Sequence, residues 1–216
     1  MDEMDKRFGF VDGRFGFNRI FRKHDHVLLD TCVFDYVFDP RMKHREVKPF
    51  LEILPHLDTI RASDKVAYLD EFGFALKENK QVMFTNYVHE ELKPRLEFLR
   101  TSWKEKYQES YKRVLPIVNL LEDRGFYDIT PSSGWYLHED LSVADAHLAT
   151  STLESAKQGA NVALLSNDVE LLSTVEGQKG QMDVSVYTLV GDVYPRREFG
   201  RFSKRGYNGR LQNGTQ

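Results

Sequence analysis

Cysteine is nearly missing from this 216-residue chain, where Cys32 stands alone. One thiol excludes an intrachain disulfide framework and any zinc site that draws two or more thiolates from one chain. That fits a reducing compartment. Long apolar runs are missing as well: nothing approaches the roughly 18 consecutive apolar residues of a membrane span. The opening MDEMDKRFGF has no apolar stretch and no small-residue cleavage signature. The expectation is a cytoplasmic protein with no membrane contact. No Gly-x4-Gly-Lys-Ser/Thr loop and no Gly-x-Gly-x-x-Gly occurs, which argues against nucleotide cofactors. His89-Glu90-Glu91 is not followed by a histidine at zinc-protease spacing. Cys32 stands where a phosphoaspartate hydrolase would need a second acid after Asp30. Asp30-Thr-Cys-Val-Phe is also not the Asp-x-Ser-x-Ser of an integrin-type metal site.

What is present suits one globular unit. Hydrophobic residues make up 41% and aromatic residues 12% of the chain, enough for one good core at this length. Net charge is only −3, but it is unevenly spread. Residues 192–216 hold six Lys/Arg and two acids, with no acid after Glu198. Residues 27–191 hold 18 basic residues against 26 acids. A nucleic-acid binder usually presents a basic stripe, whereas an enzyme holding divalent ions gathers carboxylates. An acidic body with a basic tail suits a metal plus a polyanion. It equally suits a solvated acidic surface with a loose tail.

Strand-like and helix-like segments alternate along the chain. Residues 1–25 form an N-terminal arm that repeats Arg-Phe-Gly-Phe at Arg7–Phe10 and Arg14–Phe17. Its aromatics pack on the core or stack, with the arginines, on bases. The apolar run His26–Asp30 predicts a buried parallel strand, followed by a helix through Phe38 that Asp39-Pro40 stops. Two helices are expected between Pro49 and Lys80, one around 47–58 and one from a Ser63-Asp64 cap to about Asn79. Gln81–Phe84 reads as a strand. Thr85-Asn86 then caps a helix with Val88, Leu92, Leu96 and Leu99 on one face and a kink at Pro94. Residues 94–130 look like an inserted helical hairpin, with Phe126–Ile129 a further strand. Ser142–Lys157 is a helix closed by Gly159, Asn161–Ser166 a strand, Val169–Val175 a short helix and Val184–Val190 a last strand. The fold class that follows is a Rossmann-like three-layer α/β/α domain with a central parallel sheet, spanning 26–191. The basic tail 192–216 is expected to be disordered.

In such sheets ligands lie beyond the carboxyl ends of the strands. Asp30 ends the first strand and Asp168 follows the strand Ala163–Ser166. Glu91 and Asp145 lie in the first turns of helices that follow strand or cap signals. Each alone has a plain structural reading. Asp30 could be a turn residue, Glu91 a helix partner of Arg95, Asp145 half of a capping box with Ser142, and Asp168 a helix N-cap. Together they converge on one cleft. Glu90 is adjacent to Glu91; the latter is chosen because it precedes Leu92 and lies one turn from Val88. His147 points off the Asp145 face and reads as structural, and Cys32 reads as packing.

Val27-Leu-Leu-Asp30-Thr31-Cys32, Val88-His-Glu-Glu91-Leu92, Leu141-Ser-Val-Ala-Asp145-Ala146 and Leu165-Ser-Asn-Asp168 resemble the successive motifs of the PIN-domain nucleases. The likeness spans about residues 26–190, with Ser-x-Ala-Asp-Ala followed by Ser-Asn-Asp as its most specific part. It implies a PIN-like fold with acids holding one or two Mg2+ or Mn2+ ions. Asp30, Glu91 and Asp145 would be the main ligands and Asp168 a fourth, often through water. Thr31 and Ser166 would orient the acids or a phosphate. The implied activity is phosphodiester hydrolysis by an endoribonuclease acting on single-stranded or structured RNA. Either a toxin-like enzyme restrained by an inhibitory protein partner or an RNA-processing enzyme fits, and a homodimer is left open. The alternative is an RNA-binding or scaffold protein that keeps the fold without turnover. Clustered carboxylates repel one another, so without metal at least one pKa should rise.

Overall fold

The computed structural model of the protein describes residues 16–38, 46–49, 51, 69–79, 81–98, 100–101, 108–123 and 141–190. Within them the chain order is helix α1 (Phe17–Lys23), strand β1 (His26–Leu29), α2 (Thr31–Phe38), β2 (Glu46–Pro49), α3 (Leu69–Glu78) and β3 (Val82–Met83). Then follow α4 (Asn86–Phe98), α5 (Gln108–Asp123), α6 (Val143–Lys157), β4 (Val162–Leu165), α7 (Val169–Gln178) and β5 (Val184–Val190). The first Arg-Phe-Gly-Phe copy, the strand expected at Phe126–Ile129 and the basic tail fall outside the described residues.

The strands form a single sheet in the order β2-β5-β4-β1-β3. The four strands β5, β4, β1 and β3 are parallel. All four residues of β4 are buried, as are Val27, Leu28 and Leu29 of β1. Successive strand residues point to opposite faces, so burial of every one means that both faces of the central sheet are covered. Such strands read as unbroken apolar runs, which is why β1 and β4 are plain in the sequence.

A fifth strand takes the first residues of the helix expected around 47–58 and adds an antiparallel member to the central parallel sheet; Leu51 is helical, and residues 50 and 52–58 lie outside the described residues. Residues 46–49 pair antiparallel with β5, setting Glu46 opposite Val190 and Pro49 opposite Tyr187. This strand is at the sheet edge, where a proline lacking its N–H is tolerated. Four residues with a single β-branched member carry too little alternation to announce a strand.

Helix α6 lies across β1, β4 and β5, and α7 packs on both α6 and β5. Eleven consecutive residues of α6, Ala146–Ala156, are buried. Its buried hydroxyls are satisfied internally in part: Thr150 Oγ1 donates to the Ala146 carbonyl and Thr152 Oγ1 to that of Leu148. Gly159 ends it at φ +91°, donating its N–H to the Ala156 carbonyl, and only glycine adopts that backbone cheaply. Helix α4 runs on through Pro94, with Thr85 Oγ1 accepting the Val88 N–H at its start.

An aromatic group joins the helices. The ring of Phe72 on α3 lies 4.9 Å from Phe17, 6.4 Å from Phe21 and 5.8 Å from Phe34, and all four rings are fully buried. The second Arg-Phe-Gly-Phe copy therefore ends in a core residue, so packing accounts for this part of the N-terminal segment. Phe72→Ala is expected to destabilise the protein by about 3–5 kcal/mol. A urea midpoint that falls at unchanged slope would show it, and an unmoved midpoint would place the core elsewhere.

Candidate metal centre

Because β1, β3, β4 and β5 run parallel, their carboxyl ends share one edge of the sheet. The chain passes from β1 to β3 on one side, while β4 and β5 lie on the other. The order therefore switches at β1 and β4, the position where such sheets bind ligands. Asp30 follows β1 directly, and its N–H donates to the Leu165 carbonyl at the end of β4 at 3.0 Å. This one backbone bond sets Asp30 beside the Ser166–Asp168 loop.

Asp30 is buried, with 8% of its surface exposed. Its Oδ2 accepts hydrogen bonds from Ser166 Oγ at 2.5 Å and Cys32 Sγ at 2.8 Å. Burial pushes its carboxyl pKa up to about 6. The two donors pull the other way, and the negative charges of Asp145 and Asp168 add to the rise. Burial also raises the pKa of Asp145, where Asp168 and Glu91 contribute repulsion. Asp30 therefore lies within electrostatic reach of Asp145 and Asp168, and Asp145 of Asp168 and Glu91; burial is the larger cause of both raised pKa values, and carboxylate repulsion adds to it.

Each acid also has local work. The Ser142 hydroxyl donates to Asp145 Oδ2 at 2.7 Å, and the Asp145 N–H donates to Ser142 Oγ at 3.1 Å. This is the capping arrangement at the start of α6. Asp168 Oδ1 accepts the N–H groups of Glu170 at 2.8 Å and Leu171 at 3.1 Å, capping α7. Glu91 is different. Arg95 reaches its backbone carbonyl at 2.7 Å, while Thr31 Oγ1 donates to Glu91 Oε2 at 2.6 Å. That bond ties the Glu91 carboxylate to the residue after Asp30. Glu90 turns instead to Lys93 on the exposed side of the helix.

The donors gathered here are oxygens, four of them from carboxylates, which is the chemistry of Mg2+ or Mn2+ rather than of softer ions. Among the described residues, however, no three His, Cys, Asp or Glu side chains stand together as a ready-made ligand set. The donor types suit a hard divalent ion, while their spacing in this structure does not form a ligand set. Compared with known proteins, the chain matches no family model, no curated protein and no solved structure. Among the described residues no helix is long and apolar enough to cross a membrane.

Thr31 hydrogen-bonds to Glu91 and Ser166 to Asp30. His147 is buried with its ring 5.0 Å from Tyr87, consistent with a structural part. Cys32 exceeds the packing role expected of it, since it bonds to Asp30 and accepts the Asn167 N–H at 3.0 Å. Burial first, then the Asp30 charge, holds its thiol well above the usual pKa, so the S–H proton stays in place. Its position two residues after Asp30 was the only available signal. Asn167 offered none beyond its place between Ser166 and Asp168.

The different partners of the two glutamates give a test. Glu91→Gln is expected to weaken Mn2+ binding by more than about tenfold, the scale set by losing a metal-site partner. Glu90→Gln should leave it within twofold. Isothermal titration of both variants separates them, and equal affinities would remove Glu91 from the site.

Proposed function

We propose that the protein is a divalent-metal-dependent nuclease of PIN-like type that hydrolyses phosphodiester bonds, with single-stranded or structured RNA as its substrate class. The observation that carries this reading is the placement of buried Asp30 near Asp145 and Asp168 at the strand-order switch, with Glu91 near Asp145 and tied by Thr31 to the residue after Asp30. A buried carboxyl with raised pKa near two other acids is costly, and a cation is the simplest partner that offsets it.

Asp30, Glu91 and Asp145 would hold Mg2+ or Mn2+, with Asp168 completing the set through water. Thr31 holds the Glu91 carboxylate and Ser166 that of Asp30. A bound ion would supply an acidified water and neutralise charge on the phosphoryl oxygens. Resemblance of the four motifs, not geometry, assigns RNA as the substrate. The basic residues after Glu198 suit a polyanion of either kind.

The capping bonds of Asp145 and Asp168 favour a second reading, a catalytically silent RNA-binding protein in which these acids serve the fold. Incubation of a mixed single-stranded RNA pool distinguishes the two. The nuclease cleaves with Mn2+, stops with EDTA and stops on Asp145→Asn. Equal products in all three reactions would overturn it, and RNA retained without cleavage would establish the binding protein.

A further inference from the structure

Two residues outside the acid set join the loops that carry it. Cys32 Sγ donates to Asp30 Oδ2 and accepts the Asn167 N–H. The Ser166 hydroxyl donates to the same Oδ2 and accepts the Asp168 N–H at 2.8 Å, with 3.5 Å between Cys32 Sγ and Ser166 Oγ. The side chain of Asn167 reaches the opposite way. Its Oδ1 accepts from Thr188 Oγ1 at 2.7 Å and from the Leu189 N–H at 2.8 Å, both on β5. A continuous path therefore runs from β5 through Asn167 and Cys32 to the Asp30 carboxylate.

The path has a physical task. Asp30 feels repulsion from Asp145 and Asp168, which favours any rotation that carries its carboxylate away from them. Two donors on a single oxygen resist that rotation. Backbone hydrogen bonding alone does not, because the Asp30 N–H bond to Leu165 leaves the side-chain torsions free.

We propose that Cys32 and Asn167 form a clip whose task is to hold the Asp30 carboxylate and the Ser166–Asp168 loop in the spacing that accepts a divalent cation. They are positioning residues that touch neither substrate nor ion. The proposal rests on the metal-site reading above. It adds to that reading a requirement for a hydrogen-bonding atom at position 32 and an anchor on β5.

The test uses the full chain and two readouts. In Cys32→Ala the Asn167 amide loses its acceptor, so its hydrogen exchange in the metal-free protein should accelerate at least tenfold, read by NMR. The Mn2+ dissociation constant should rise about 10–100-fold, the range for outer partners of metal ligands. Cys32→Ser, which keeps a donor and an acceptor, should return both readouts to within about threefold of wild type. Asn167→Ala, which cuts the anchor on β5 and keeps the thiol, should weaken Mn2+ binding in the same direction and serves if Cys32→Ala does not fold. Unchanged amide exchange in Cys32→Ala overturns the clip, as does unchanged Mn2+ affinity in both alanine variants. Should wild type itself bind no Mn2+, the metal reading fails and amide exchange alone decides whether the clip exists.

Discussion

Asp30→Asn is expected to abolish Mn2+-dependent cleavage while making the metal-free protein more stable at pH 8. Loss of a direct metal ligand should cost more than the roughly 100-fold typical of losing an outer partner. The stability gain follows from the environment of Asp30. Its folded pKa is about 6 against an ordinary 3.8, because burial penalises the charged form. A raised carboxyl pKa stabilises the fold fully below the ordinary value, and that contribution is lost as pH rises through 6. At pH 8 the ionised wild-type residue therefore forfeits about 3 kcal/mol that a neutral side chain retains. Asparagine mimics the neutral form at every pH. Melting in EDTA should show Asp30→Asn ahead of wild type by several degrees at pH 8, with the gap closing towards pH 4. A gap of the same size at both pH values, or cleavage that survives the substitution, would contradict this account of Asp30.

The same charge balance makes metal binding pH-dependent. A divalent ion needs the carboxylates ionised and releases their protons as it binds. With Asp30 titrating near 6, Mn2+ affinity should fall about tenfold per unit of pH below 6 and level off above 7, since one proton is displaced. The raised pKa of Asp145 broadens the fall. Bound ion in turn stabilises the fold, by about 2.7 kcal/mol at one hundred times the dissociation constant. The Mn2+-induced rise in melting temperature should therefore be large at pH 7.5 and small at pH 5. Calorimetric titrations across that range give the slope directly. A flat profile would mean that Asp30 is not among the ligands.

Asp30 and Asp168 were legible in the sequence for a simple reason. Each follows an apolar run so uniform, Val27-Leu-Leu and Val162-Ala-Leu-Leu, that a doubly covered strand is the natural reading. The acids then had to stand at the carboxyl edge. Asp145 was legible through Ser142, whose capping signal marks the start of α6. The resemblance to PIN-domain nuclease motifs suggests roles that position alone does not assign.

Other parts depend on contacts distant in sequence. Local signals, the following Leu92 and the turn to Val88, favour Glu91 over Glu90 only weakly, and the contact that separates them comes from Thr31, 60 residues earlier. Neither residue of the Cys32–Asn167 pair carries a pattern, since a thiol beside an acid usually means packing, and the partner amide lies 135 positions away. The edge strand 46–49 was missed because pairing with β5, rather than its own composition, creates it. For Phe17 the sequence leaves core packing and base stacking both open, and the contact with Phe72, distant in sequence, is what places it in the core.

Anomalous diffraction from crystals soaked in Mn2+ tests the central claim most directly. The expected result is a peak at the carboxyl edge of the sheet, about 2.1 Å from oxygens of at least two of Asp30, Glu91 and Asp145, with Asp168 direct or one water away. A peak elsewhere, or none in crystals whose four acids are ordered, would contradict a shared metal site.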